Sequence, residues 1–223
     1  MPQTHSLPIS ASIEPLPRCL VNRERLRHLS RRPLNPPGFI RPCLASASDA
    51  PPSGPDWTHE IKYDGFRIIA YRSAEGDVRL WSRNGLDLRS HFPGIDESVS
   101  GIGRSFVMDG EAVLFLPDGR NDRHGLRNRH NSRFVTMVAF DLMMLDGDDI
   151  RRQPLVERKA RLRELVSGQP LIQFSESIEG DGETIFRHVC SMGLEGIVSK
   201  RKDSIYRSGR TRSWIKTKCP SYS

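Results

Sequence analysis

From Trp57 to Lys218 short apolar runs are cut by Asp-Gly, Gly-Asp and Pro-Asp-Gly signals, a rhythm that limits the chain to a strand-rich fold with few helices. Trp57 to Tyr71 reads as a strand interrupted at Asp64-Gly65, with Val78 to Arg83 as its neighbour across the turn Ser73 to Asp77. Phe106 to Leu116 and Phe134 to Leu145 are strongly apolar strands, closed by Pro117-Asp118-Gly119 and Asp146-Gly147-Asp148. Two helices follow. Pro154 to Ser167 places Leu155, Lys159, Leu162 and Leu165/Val166 on one face, and Gly182 to Met192 stacks Ile185, Phe186, Val189 and Cys190. Glu195 to Lys200 and Ser213 to Lys218 read as the last strands. Strands and helices without strict alternation argue for an α+β fold with largely antiparallel sheets.

The first residues differ from this pattern. Seven arginines accumulate up to Arg41 against only Glu14 and Glu24, and prolines recur through Pro37. We expect a basic, flexible leader over residues 1–37, with a short helix at 22–29, before one domain over 38–219 and a tail at 220–223. The formal net charge of +7 favours polyanionic partners, nucleic acid or nucleotide before an acidic membrane. No apolar run reaches the length of a membrane span, and Met1 to Ser12 lack the basic-then-apolar order of a secretory signal. Cys19, Cys43, Cys190 and Cys219 never come at the C-x-x-C spacing of a zinc site, so they read as free thiols of a soluble, cytoplasmic protein.

The run carrying most chemistry is His59-Glu60-Ile61-Lys62-Tyr63-Asp64-Gly65-Phe66-Arg67. A strand turning at Asp-Gly is its plainest reading. Lys62 weakens that reading: between Ile61 and Tyr63 it is costly to bury as a cation, and neighbouring positive charge lowers a lysine toward a nucleophilic amine.

Lys62-x-Asp64-Gly65-x-Arg67 resembles the nucleotidyl-lysine motif of the ATP-dependent DNA ligases, RNA ligases and mRNA capping enzymes. Further elements occur in that superfamily's order: Ser82-Arg83-Asn84-Gly85, Asp109-Gly110-Glu111, Phe140-Asp141-Leu142, Glu195 to Lys200 and Trp214 to Lys218. The phrasing of Phe140 to Gly147 and Gly193 to Lys202 is most similar to the ligase domain of bacterial end-joining DNA ligases. The resemblance covers roughly Phe39 to Cys219. It implies the nucleotidyltransferase fold of the covalent ligases, ATP as the nucleotide, Mg²⁺ (or Mn²⁺) as the cation, and nicked or broken duplex DNA as the final substrate, with no membrane partner.

By the same resemblance Lys62 and Asp64 are catalytic; Glu60, Arg67, Arg83, Glu111, Phe140, Lys216 and Lys218 bind the nucleotide; and Glu195 binds the metal. Strand alternation supports part of this, since Lys216 and Lys218 share a face with Trp214 and two cations there suit a triphosphate. Glu111 shares a strand face with Asp109, where a carboxylate needs a partner such as a ribose hydroxyl. The chain departs from the family twice. Only five residues follow Lys218, too few for the OB-fold domain that relatives carry there, which other chains or end-joining proteins would have to supply. Residues 121–133 form a basic, polar run where relatives place an apolar helix, either a DNA-facing loop or drift. The rival functions are a non-catalytic nucleotide- or DNA-binding remnant and RNA ligation or cap guanylylation.

Overall fold

The computed structural model describes residues 38–220 and 222; the expected leader and its helix lie outside the described residues. Strands β1 (Cys43–Ala47), β2 (Trp57–Ile61), β3 (Phe66–Arg72) and β4 (Val78–Ser82) are followed by α1 (Pro93–Ser100) and β5 (Phe106–Val113). Then come β6 (Thr136–Leu145), β7 (Asp148–Asp149), α2 (Leu155–Val166), β8 (Ile172–Phe174), α3 (Gly182–Ser191), β9 (Gly196–Arg201) and β10 (Gly209–Lys218). They form two sheets, one in the order β1-β10-β9-β2 and one in the order β4-β3-β5-β6-β7 with β8 added beside β6. Pairing is antiparallel except for β1 with β10 and β6 with β8. The α+β class is as expected, and the described residues build no OB-fold barrel.

The interrupted strand from Trp57 to Tyr71 proves to be two strands in different sheets. β2 pairs with β9, whereas β3 pairs with β4 and β5, so residues 62–65 form a strap between the sheets. Asp64-Gly65 is therefore a crossing and not a hairpin turn. Gly65 makes the crossing possible: a Cβ there would lie 2.1 Å from the Ala112 carbonyl oxygen. Four elements were not foreseen: β1, α1, β7 and β8. β1 is a short edge strand whose partner, β10, is distant in sequence, and α1 opens on Pro93, whose ring presets the first helical turn, and buries Ile95 and Val99 one turn apart.

Period-two alternation sorts the larger sheet into two faces. Ile68, Ala70 and Leu80 pack with Ile95 and Val99 of α1 and Leu162 and Leu165 of α2. Ile69, Trp81, Val107 and Met143 face the other way, with Tyr206 and with Trp214 of β10, and this second core joins the two sheets. On the smaller sheet, Val189, Leu194 and Ile197 pack with Ile61, Ile185 and Phe186, which seats α3. α2 is fastened by charge as well. Arg158 forks Asp141 of β6 at 2.7 and 2.8 Å and donates to the carbonyls of Gln153 and Ser204, with both charged side chains fully buried.

The expectation of four free thiols is corrected for Cys190 and Cys219, which form a disulfide. The fold brings the end of α3 beside the residue after β10, a proximity hidden by 29 residues of separation. Cys43 is free and buried, its thiol pushed up to about 12 by desolvation and the nearby Asp109; Cys19 lies outside the described residues. Closing a loop of this size contributes about 3.6 kcal/mol in chain-entropy accounting. Reductant is thus expected to lower the thermal midpoint by about 6–12 °C, and Cys190→Ser to do the same without reductant. Equal midpoints with and without reductant would contradict this bond. Among the described residues no helix is long and apolar enough to cross a membrane.

Candidate functional site

A cleft of about 500 Å³ opens between the two sheets, lined by the strap and by strands of both. At one end two lysines hold one carboxylate. Lys62 Nζ donates to Glu195 Oε2 at 2.6 Å and Lys218 Nζ pairs with Glu195 Oε1 at 2.6 Å, while Glu195 itself is 1% exposed. The strand register explains the meeting. Lys218 lies opposite Gly196, and Ile61 opposite Ile197, so Glu195, just before β9, reaches the ends of both neighbouring strands. Gly196, at φ +146°, leaves room that a Cβ would fill at 2.1 Å from the Thr217 carbonyl oxygen, and its own carbonyl accepts the Lys62 N–H at 2.8 Å.

Lys216 lines the cleft between them, its amine pushed below the ordinary lysine range by burial and by Lys62, Lys218 and Arg210. The sequence reading put cations around Lys62. The structure brings them near, but the group in contact with its amine is the Glu195 carboxylate, because the strap ends against the loop that carries Glu195.

At the other end Glu60 is buried under three donors. Lys159 and Lys200 both reach Oε1 at 2.8 Å, and the Ser175 hydroxyl donates to Oε2 at 2.7 Å. Burial would raise this carboxyl, but the two ammonium groups outweigh it and hold Glu60 below the usual carboxylate range. Lys159 and Ser175 were missed as parts of the site. The available signal was Lys159 on the apolar face of its helix, since a buried lysine requires a carboxylate.

Between the ends stands Phe140, flanked edge-on by Trp214. The Arg67 guanidinium and the Lys200 ammonium each lie 4.6 Å from its ring centroid. Arg67 is expected from the sequence to meet nucleotide or DNA phosphate. In the structure it is forked on the fully buried Asp109 at 2.5 and 2.6 Å and donates to the Cys43 carbonyl. Cross-strand pairing explains this, because Arg67 and Glu111 are directly opposite on β3 and β5, with Asp109 one pleat along the same face. Tyr206 caps Asp109 from the far side at 2.5 Å, another contact not legible in sequence. Arg83 lines the cleft, exposed and with no side-chain partner among the described residues.

Asp64 is an expected site residue that the structure turns away from the cleft. Its carboxylate pairs with Arg123 at 2.7 Å and faces a second cavity, held there by that guanidinium.

The family model described as the ATP dependent DNA ligase domain matches residues 42–218. The chain belongs to this family. Among curated relatives, the multifunctional non-homologous end joining protein LigD of Pseudomonas aeruginosa is 38% identical over 190 residues, covering 82% of this chain and 22% of that protein. The LigD of Mycolicibacterium smegmatis is 33% identical over 185 residues, covering 82% and 24%. The chain thus spans under a quarter of the length of these relatives. The crystal structure of the ligase domain of M. tuberculosis LigD superimposes with a TM-score of 0.72 at 31% identity, covering 80% of this chain and 60% of that one. A mycobacterial DNA ligase D complexed with ATP gives 0.71.

Two features of this ligase domain bear on its ligands. Among the described residues no group of three or more His, Cys, Asp and Glu side chains could hold a metal ion. A single buried carboxylate, Glu195, is nonetheless a donor set that suits Mg²⁺, which keeps few protein ligands and takes the rest from phosphate oxygens and water. Glu111 is the second feature. Desolvation, only partly offset by Arg67 and Lys62, pushes its carboxyl up to about 7. The folded state therefore binds this proton more tightly than the unfolded chain, and the contribution to stability is lost as pH rises through about 7. Glu111→Gln is expected to leave the thermal midpoint unchanged near pH 5 and to raise it by several degrees at pH 8. A midpoint difference that does not vary between these pH values would refute the assignment.

Proposed function

We propose that this ligase domain is a nucleotidyltransferase that takes AMP from ATP onto Lys62 and serves the joining of nicked or broken duplex DNA. The observation that supports this best is a lysine on a constrained strap, lining a cleft of about 500 Å³ with Lys216 at one end and Phe140 and Glu60 farther in. Lys218 and Lys216 bind the triphosphate oxygens as it arrives, which loosens the hold of Lys218 on Glu195. The Lys62 amine then sheds its proton to water in the open cleft and attacks. The N–P bond to the α-phosphorus forms, the bond from that phosphorus to the bridging oxygen breaks, and pyrophosphate leaves with the electron pair. Glu195 would hold Mg²⁺ or Mn²⁺, and the cation would neutralise charge on the leaving group.

At the far end Glu60 Oε2 keeps a lone pair for the amino group of adenine, beyond the one that Ser175 uses. Phe140 offers the purine an aromatic surface, and Arg67, committed to Asp109, holds that surface in place rather than binding phosphate. Glu111 accepts from the ribose, and Arg83 is free to meet the 5′-phosphate of DNA. An OB-fold domain or end-joining proteins would complete the joining steps. Asp64, outside the cleft, acts through the position of the strap.

The test is labelling with α-³²P-ATP and magnesium, followed by mass spectrometry of the peptide carrying Lys62. An acid-labile adenylate is the expected product, formed from ATP in preference to GTP. Absence of label, even with an OB-fold domain added in trans, overturns the reading in favour of a non-catalytic nucleotide- or DNA-binding remnant, and preference for GTP overturns it in favour of cap-type chemistry.

A further inference from the structure

The strap that carries Lys62 into the cleft has a second side. There a separate cavity of about 540 Å³ is lined by Asp64, by Arg120 to His124, and by Arg127, Leu194 and Tyr222 among others. Residues 121–133, the stretch that departs from the family pattern, carry four arginines against one aspartate. Their placement is built and not incidental. Leu126 is buried in the main core, Asp122 Oδ1 accepts the Gly125 N–H at 2.8 Å, and the Asn131 side chain donates to the Gly125 carbonyl at 3.0 Å. Asn121 reaches from the same segment to the Asp64 carbonyl and the Tyr222 hydroxyl, each at 3.2 Å, which ties it to the strap.

The two carboxylates on the wall are already engaged, Asp122 by the Gly125 N–H and Asp64 by Arg123. Arg120 is held by Asp118, through an exposed pair of the kind that contributes little and can be exchanged for a stronger anion. The Arg127 guanidinium and the His124 imidazole have no side-chain partner among the described residues. A cavity whose guanidinium groups, Arg120, Arg123 and Arg127, outnumber its two carboxylates suits an anion with several oxygens.

We propose that this cavity binds a backbone phosphate of the DNA strand whose end is presented to Lys62, with Arg127 and His124 as its free donors and Arg123 as the shared one. The inference rests on the reading of DNA as substrate. The position supports it: Asp64 is two residues from Lys62, so a strand end at the reaction centre has its flanking phosphates within reach of this wall. A phosphate that recruits Arg123 also competes with Asp64, so strand binding and the set of the strap are linked through one guanidinium.

The experiment is fluorescence anisotropy of a labelled nicked duplex over a range of salt, with AMP labelling from ATP alone followed in parallel. Arg127→Ala is expected to weaken DNA binding about five- to tenfold near 0.1 M salt and to lower the slope of log K against log salt by about 0.9. His124→Ala with Arg127→Ala weakens it further. Arg79→Ala, the same charge change at an exposed position away from the cavity, stays within about twofold. AMP labelling is unchanged in all three. An unchanged slope in Arg127→Ala, or equal losses in Arg127→Ala and Arg79→Ala, overturns the site. Displacement of the duplex by micromolar inorganic pyrophosphate at constant ionic strength reassigns it to a free anion and overturns the strand reading. Failure of the wild-type chain to label, with the DNA results as expected, removes the adenylation reading and leaves this site standing.

Discussion

Lys62→Ala is expected to reduce AMP transfer from ATP by on the order of 10³-fold or more, because the variant removes the amine that takes the phosphoryl group. The fold should survive. The Lys62 side chain is 20% exposed, and Glu195 keeps its pairing with Lys218 when the amine is removed. A Lys62→Arg variant is the sharper control. It retains a cation opposite Glu195, so any purely structural or electrostatic role is preserved, while the guanidinium is too weak a nucleophile to take the phosphoryl group. Both variants should bind a fluorescent ATP analogue with affinity within a few-fold of wild type and unfold at similar temperature, yet remain unlabelled. Label retained in Lys62→Arg would place the nucleophile elsewhere.

The second large effect concerns stability. Arg158→Ala should cost about 3–5 kcal/mol in urea unfolding, the range for removing one partner of a buried ion pair and stranding the other. Here the stranded group is Asp141, fully buried on β6, and the carbonyls of Gln153 and Ser204 lose their donor at the same time. The double variant Arg158→Met/Asp141→Leu should recover most of the loss, since no unpaired charge remains. A single variant as stable as wild type would mean that the pair is solvated in solution.

Much of the site was legible in order along the chain. Lys62 and Lys218 do meet on Glu195, and Lys62, Lys216, Glu60, Phe140, Glu111 and Arg83 do line one cleft. Alternation was enough for Lys216 with Trp214, because a strand has only two faces. Pairing was not. That Arg67 would choose Asp109 over a ligand, that Lys159 would stand beside Lys200 on Glu60, and that Asp64 would turn to Arg123 depend on which strand lies opposite which. The disulfide escaped for the same reason, as did β1, a strand defined only by a partner far along the chain.

What the amino-acid sequence alone determined is the chemistry available and the strands that carry it: a lysine in an apolar run, a basic last strand, acidic residues on apolar strands, and helices with one greasy face. These are local properties, set by residue type and by periods of two and 3.6. Only the tertiary structure decided the partners. The strap that splits one apparent strand between two sheets brings Glu195 onto the Lys62 amine and gives Asp64 a cavity of its own, since register between distant strands is chosen by packing and not by local propensity.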